Sequence, residues 1–297
     1  MTTEPKRTRS TLLVSEFTQF RAELDQSQAQ RERIVKISRD ITALSKQMIF
    51  ALHRVSSGKK WDQVKGEVEG KMNDLRKLFA KLQGEVKGED FWRYERSISP
   101  GLQEYLEGLT FYHYLEHRSL PTLEQCQASL VPPPPPPSDP TPSSANESEP
   151  TPTAAIEPTP ATPSEPYVVV TPEDYLGGVA DLTGELMRLA IASVGKNLHL
   201  SLQSDGQEGG GENFADIDKI GRLVREIKGE MDPLAPFARW LNKKLVVLDQ
   251  SLGKIENASY NLKIRGAEYK DSPKMLQELA KNLGPSTTHA REEGIVA

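Results

Sequence analysis

Residues 15–55, SEFTQFRAELDQSQAQRERIVKISRDITALSKQMIFALHRV, contain no proline and no glycine. Phe17, Phe20 and Leu24, then Ile34, Ile37, Ile41, Leu44, Met48 and Leu52, are spaced mostly by threes and fours. That period puts the apolar side chains on one face of a helix. The run reads as a single amphipathic helix, well beyond the usual length of roughly 8–20 residues. A helix so long needs a partner along its whole side, in a bundle or an oligomer. The chain is therefore expected to be all-α, with long antiparallel helices.

The rest of the chain follows that lead. Ser56, Ser57 and Gly58 close the first helix. A second is expected from Trp61 to Leu82, with Val64, Val68, Met72, Leu75, Phe79 and Leu82 on one stripe. GEDFWRYERSIS opens a third, which Pro100 and Gly101 are expected to break or kink, because proline inside a helix costs about 3 kcal/mol. Ser99 would then cap a new helix running from Leu102 to His117. A short helix should follow Pro121 and Thr122, to about Leu130. Thr171, Pro172 and Asp174 supply an N-cap, a first-turn proline and a first-turn acid for a helix reaching about Leu200. SDGQEGGGEN reads as a flexible loop. Two further helices are expected, from Phe214 to Met231 and from Pro236 to Tyr269. The last has a near-heptad seam of Leu241, Leu245, Leu248, Leu252, Ile255, Ala258 and Leu262. No stretch reads as sheet.

Residues 131–166 differ in kind. They hold fourteen of the 22 prolines, including the run Pro132–Pro137. Such a composition favours extended or disordered chain. As a loose coil its ends would lie roughly 30–35 Å apart, so it can join almost any two points of one domain. A docking strip for proline-reading modules is the functional alternative. Residues 11–130 and 167–284 are expected to form one helical domain around this insertion, with tails at 1–10 and 285–297.

Composition bounds the function. The 297 residues are 36% hydrophobic and carry a formal net charge of -5. That is enough to bury a sizeable core, and too mild a charge to indicate a nucleic-acid binder by itself. Cys126 is alone, which excludes an intrachain disulfide framework or a multi-thiolate zinc site and fits a reducing compartment. MTTEPKRTRSTLL lacks the apolar core of a signal peptide, and no apolar run approaches the roughly 20 residues of a membrane helix. An intracellular, soluble protein with no membrane partner is expected. Lys6, Arg7 and Arg9 fit a solvated tail, or a weak nuclear-import patch.

Four carboxylates carry the chemistry. Glu104 and Glu107 lie in GLQEYLEGLTF, and Asp181 and Glu185 in GVADLTGELMR. Each pair shares one helix face. Acid pairs at this spacing are common on solvated faces, but these runs have apolar flanks. Buried carboxylates are costly unless paired or metal-bound. Two pairs face to face would suit a hard divalent cation. Gly177, Gly178, Ala180 and Gly184 would allow close approach by a backbone or a substrate. His113-Tyr-Leu-Glu116-His117 matches the H-x-x-E-H pattern of inverted zinc peptidases. Phe91, Trp92, Arg93, Tyr94 and Arg96 interleave aromatic rings with base, which suits stacking on bases and contact with phosphates, and equally the start of an ordinary amphipathic helix. Lys59, Lys60, Lys65, Lys263 and Arg265 are further basic positions. The Glu-x-x-His signature of di-iron bundles, Walker loops, dinucleotide fingerprints and nucleophile-elbow serines are all absent from the sequence.

Four blocks, taken in order, point to a family. IVKISRDITALSKQMIFALHRV, GLQEYLEGLTFYHYLEHRSL, VTPEDYLGGVADLTGELMRLAIASVG and SLGKIENASYNLKIRGAEY resemble the translin family, in its translin-associated factor X branch. The resemblance implies an all-α fold of seven helices and assembly with translin into a closed hetero-octameric shell. It implies a magnesium-dependent endoribonuclease of cytoplasm and nucleus, with manganese as a substitute metal. Single-stranded RNA would be the substrate, including small-RNA passenger-strand and tRNA-processing fragments, with single-stranded DNA as a further ligand. The family's acids fall on GLQEYLE and GVADLTGE, hence on Glu104, Glu107, Asp181 and Glu185. Glu104, Glu107 and Asp181 are the expected catalytic residues, and Glu107, Asp181 and Glu185 the expected metal ligands. Arg93 and Arg96 are the expected nucleic-acid contacts. The rival expectation is a non-catalytic adaptor that stabilises translin and adds nucleic-acid surface.

Overall fold

The computed structural model describes residues 11–86, 90–130, 168–203, 217–268 and 275. The proline-rich stretch 131–166, the segment SDGQEGGGEN and the expected tails lie outside them. Among the described residues there are seven α-helices and no strand: α1 (Thr11–His53), α2 (Trp61–Glu85), α3 (Asp90–His117), α4 (Leu123–Ser129), α5 (Pro172–Gln203), α6 (Ile217–Met231) and α7 (Leu241–Glu268). None of these is long and apolar enough to cross a membrane.

Periodicity becomes packing most directly in α2. Its six expected apolar residues are all buried. α2 runs antiparallel to both α1 and α3. Glu85, at the end of α2, bonds Arg33 of α1, while Arg54 beyond α1 bonds Glu67 near the start of α2. Phe79 meets Tyr105 and Trp61 meets Tyr112 between α2 and α3.

α1 and α3 run parallel. Ser27 of α1 pairs with Tyr94 and Arg93 at the start of α3, and His53 meets Phe111 near its other end. Between these points Ser38 lies against Gly101, and Ser45 with Met48 against Gly108. Both spacings are seven residues, so small residues meet in successive layers and bring the two backbones together. A β-carbon on Gly101 would stand 2.7 Å from the Ser38 carbonyl oxygen.

This contact corrects the expected break at Pro100. α3 runs unbroken from Asp90 to His117 with Pro100 inside it. Pro100 is exposed, as is Arg96, whose carbonyl loses its helical N–H partner. Water can satisfy that carbonyl. Opposite, the Ser38 hydroxyl donates to the Ile98 carbonyl at 3.3 Å, and α1 packing holds the turn.

One further boundary differs from expectation, one falls outside the described residues, and one helical stretch lies uncovered. α7 begins at Leu241, because residues 232–240 form a short 3₁₀ turn and bends around Pro233 and Pro236. α6 begins at Ile217, and Phe214 lies outside the described residues. The N-terminal part of α1 is helical but has no covering element among the described residues. Phe17, Phe20 and Leu24 are 68%, 53% and 68% exposed.

α4 has the capping box that Thr122 and Gln125 encode, each side chain bonding the other's backbone N–H. From α4 the Gln127 amide donates to the Val168 carbonyl at 3.0 Å and accepts from the Val170 N–H at 2.7 Å. Leu130 and Val168 are both fully buried. The chain thus leaves the described body at 130 and rejoins it at 168 against one side chain.

Candidate active site

α5 enters the bundle through its N-cap. The Thr171 hydroxyl accepts from the Asp174 N–H at 3.1 Å and donates to the Asp174 carboxylate at 2.8 Å. That buried carboxylate also accepts from the Ser99 hydroxyl and, at 3.0 Å, from the Gln103 amide of α3. A β-carbon on Gly178 would stand 2.7 Å from Leu106 Cβ and 3.2 Å from the Glu107 nitrogen. Only glycine allows that approach of two backbones. The Asp174 tie and the Gly178 contact fix the register of α5 on α3, and each helix then presents its two acids.

The four acids lie in one another's field. Burial raises the Glu104 carboxyl, and Asp181 and Glu185 add to the rise while Lys46 opposes it. Glu107 is pushed up to about 8, first by burial, then by Glu185, Glu104 and Asp181. The Lys244 ammonium works against this.

Three of the four acids have a cation. Lys46 of α1 stands 3.8 Å from Glu104. Lys244 of α7 is ion-paired with Asp181 and donates to the Gly177 carbonyl at 3.2 Å. Glu185 shares a hydrogen bond with His53 of α1 and lies 3.4 Å from Arg188. Among the described residues, no hydrogen bond or ion pair holds the Glu107 carboxylate. Nor do any three carboxylate, imidazole or thiol groups there already converge as ligands of one ion. Glu104, Asp181 and Glu185 are turned toward their own cations. The donor set is all oxygen apart from His53, and one half-buried acid lacks a counter-charge. That chemistry fits a hard divalent cation.

Sequence reasoning missed the counter-charges. Lys46 and His53 lie seven residues apart on α1, and Lys244 is one of two adjacent lysines on α7. Nothing in their local spacing links them to the acids. It also missed Asp174 as a tie to α3.

Arg93 and Arg96 are exposed on α3. The Arg93 guanidinium donates to Ser27 at 2.8 Å and lies over Tyr94, 5.6 Å from the ring centroid. It borders an open groove of about 520 Å³, lined also by Phe20, Leu24 and Gln30. On an ideal helix Arg93 to Glu104, like Arg96 to Glu107, is eleven residues, or roughly three turns, which returns to nearly the same face. Lys65 and Lys263 do not join this surface, being ion-paired with Glu116 and Asp218. The Arg265 side chain lies outside the described set.

Fold and site define a class: an all-α bundle with an oxygen-rich acidic centre between its long helices. The chain belongs to the Translin family, which it matches over residues 29–266. It is 36% identical over 258 residues to Translin-associated protein X of Mus musculus, covering 85% of this chain and 79% of the relative. A Translin-associated protein X homolog of Schizosaccharomyces pombe is 26% identical over 257 residues, covering 85% and 89%. The fold resembles the crystal structure of AfC3PO, at TM-score 0.52 and 17% identity, covering 84% of this chain and 98% of the other.

Proposed function

We propose that this chain is the catalytic subunit of a hetero-octameric complex with translin, and that it is a Mg2+-dependent endoribonuclease cutting single-stranded RNA. Family membership supports the partner, since its relatives bear the name Translin-associated protein X. The observation that carries the chemistry is Glu107, half-buried among three other acids and without a counter-ion among the described residues. Glu107, Asp181 and Glu185 would hold the cation, with Mn2+ as a substitute. Bound there, it would supply Lewis-acid polarisation of the scissile phosphate and acidify an attacking water.

The chain's own residues do the rest. Lys244 and His53 hold Asp181 and Glu185 in place. One carboxylate left free of the cation, Glu104 or Glu107, would take a proton from water once ionised; burial raises both. Arg93 and Arg96 would meet the phosphates of the strand. Passenger-strand fragments of small RNAs and tRNA-processing fragments, in cytoplasm and nucleus, are the proposed natural context. Single-stranded DNA would be a further ligand.

The test is cleavage of a labelled single-stranded RNA by the purified chain with and without translin, in Mg2+ and in EDTA. Glu107→Gln and Asp181→Asn should each lose at least about a hundredfold in turnover with assembly intact. Wild-type turnover in either variant would leave the adaptor reading in its place.

A further inference from the structure

At the far end of α3, His113 and His117 lie one helical turn apart with ring centroids 4.5 Å from each other. They stand some 9 and 15 Å along the axis beyond Glu107 and roughly 120° and 80° around it, so they belong to another face. His113 Nδ1 is 2.8 Å from the Ser119 carbonyl oxygen. A carbonyl can only accept, so Nδ1 is the donor, and in the neutral ring that leaves the lone pair on Nε2. The carbonyl reaches the ring because Arg118 adopts φ 60, a left-handed position that helix ends usually give to glycine. The Arg118 N–H bonds the Tyr114 carbonyl at 2.9 Å, and its guanidinium lies over the Tyr114 ring. A strained residue thus holds one imidazole in a fixed tautomer.

The second imidazole has an anion beside it. Glu116 Oε2 is 3.6 Å from His117 Nε2, while Oε1 is ion-paired with Lys65. Lys65, and then Tyr112, hold the Glu116 carboxyl below the usual range, so it stays ionised.

We infer that His113 and His117 form a binding site for a divalent transition metal such as Zn2+ or Ni2+, separate from the carboxylate centre. Two imidazoles at this spacing make a bidentate nitrogen donor, which borderline metals prefer and Mg2+ does not. A backbone carbonyl on the far nitrogen of a histidine is how proteins commonly orient metal-bound imidazoles. Among the described residues no third ligand converges, so water would complete the coordination. The two centres would then sort metals by ligand softness.

The test is a Zn2+ and Ni2+ titration of the untagged full-length chain by calorimetry, in millimolar Mg2+. Wild type should bind one more ion than the His113→Asn/His117→Asn double variant. Either single variant should weaken that site about tenfold or more. The His117 side chain is 54% exposed, so its replacement alone should leave the circular dichroism spectrum unchanged. An unchanged stoichiometry and affinity in the double variant would overturn the site.

Discussion

Gly178 of α5 turns its bare Cα toward Leu106 of α3, so that a β-carbon there would stand 2.7 Å from Leu106 Cβ. Its other near neighbours are backbone, the Glu107 nitrogen and the Gln103 carbonyl, which cannot swing aside. Gly178→Ala should therefore destabilise the chain. Overpacking costs about 1–3 kcal/mol, less up to about 1 kcal/mol from alanine's better helix propensity. Gly70→Ala on α2, which would meet nothing within 4 Å, should be neutral or stabilising. Thermal unfolding of both variants checks this, and equal shifts would refute the role given to Gly178.

Glu107 makes stability fall as pH rises. Its folded pKa of about 8 stands above its ordinary 4.5, so the folded state binds the extra proton between those values. The unfavourable contribution is absent below the ordinary value, grows through the window and is complete above about 8. Glu107→Gln should raise Tm by several degrees at pH 8 without divalent metal, and by little near pH 5. A gain of equal size at both pH values would refute this.

Lys244 is the cation that Asp181 has in this chain, and its field also eases Glu107. Lys244→Gln should lower Tm in EDTA at pH 7.5. Added Mg2+ should then raise Tm more in the variant than in wild type, because the vacated charge strengthens binding to the folded state. Equal Mg2+ shifts would show that lysine and metal do not share these acids.

Asp174 accepts three side-chain hydrogen bonds while buried at the α3–α5 junction. Asn at this position would point an amide donor at other donors. Asp174→Asn should cost about 2–4 kcal/mol in denaturant titration. It should also lower cleavage, since Glu104 follows Gln103 directly. A loss below about 0.5 kcal/mol would remove Asp174 from this role.

Arg93 and Arg96 are predicted to meet phosphate, not bases. Arg93→Ala/Arg96→Ala should weaken single-stranded RNA binding by the translin complex irrespective of sequence. The slope of log K against log salt should fall by about 1.4, at about 0.7 for each phosphate that an arginine no longer neutralises. An unchanged slope would place the RNA surface elsewhere.

What the sequence made legible was whatever a single helix encodes for itself. The stripe of α2, the Thr171 cap and the Thr122–Gln125 box are local patterns, and all are present. The acid pairs were legible as pairs for the same reason. What lay beyond reach depends on neighbours. Pro100 is accommodated because Gly101 packs on Ser38, sixty-three positions away in sequence. Lys46, His53 and Lys244 reach the acids from α1 and α7, and no period along either helix reports that. Phe17 and Leu24 keep the helical pattern but stand exposed, because pattern specifies a face and not its partner.

The clamp that Gln127 makes on Val168 and Val170 has a consequence for how this protein could be divided. Severing the chain between Leu130 and Val168 would break no hydrogen bond and uncover no side chain described above. The described helices would then fall into two complementary sets, α1–α4 and α5–α7. Glu104 and Glu107 travel with one, Asp181 and Glu185 with the other. Synthesised separately, the fragments would carry half of the proposed centre each, and RNA cleavage regained on mixing would report both their reunion and the proposed activity.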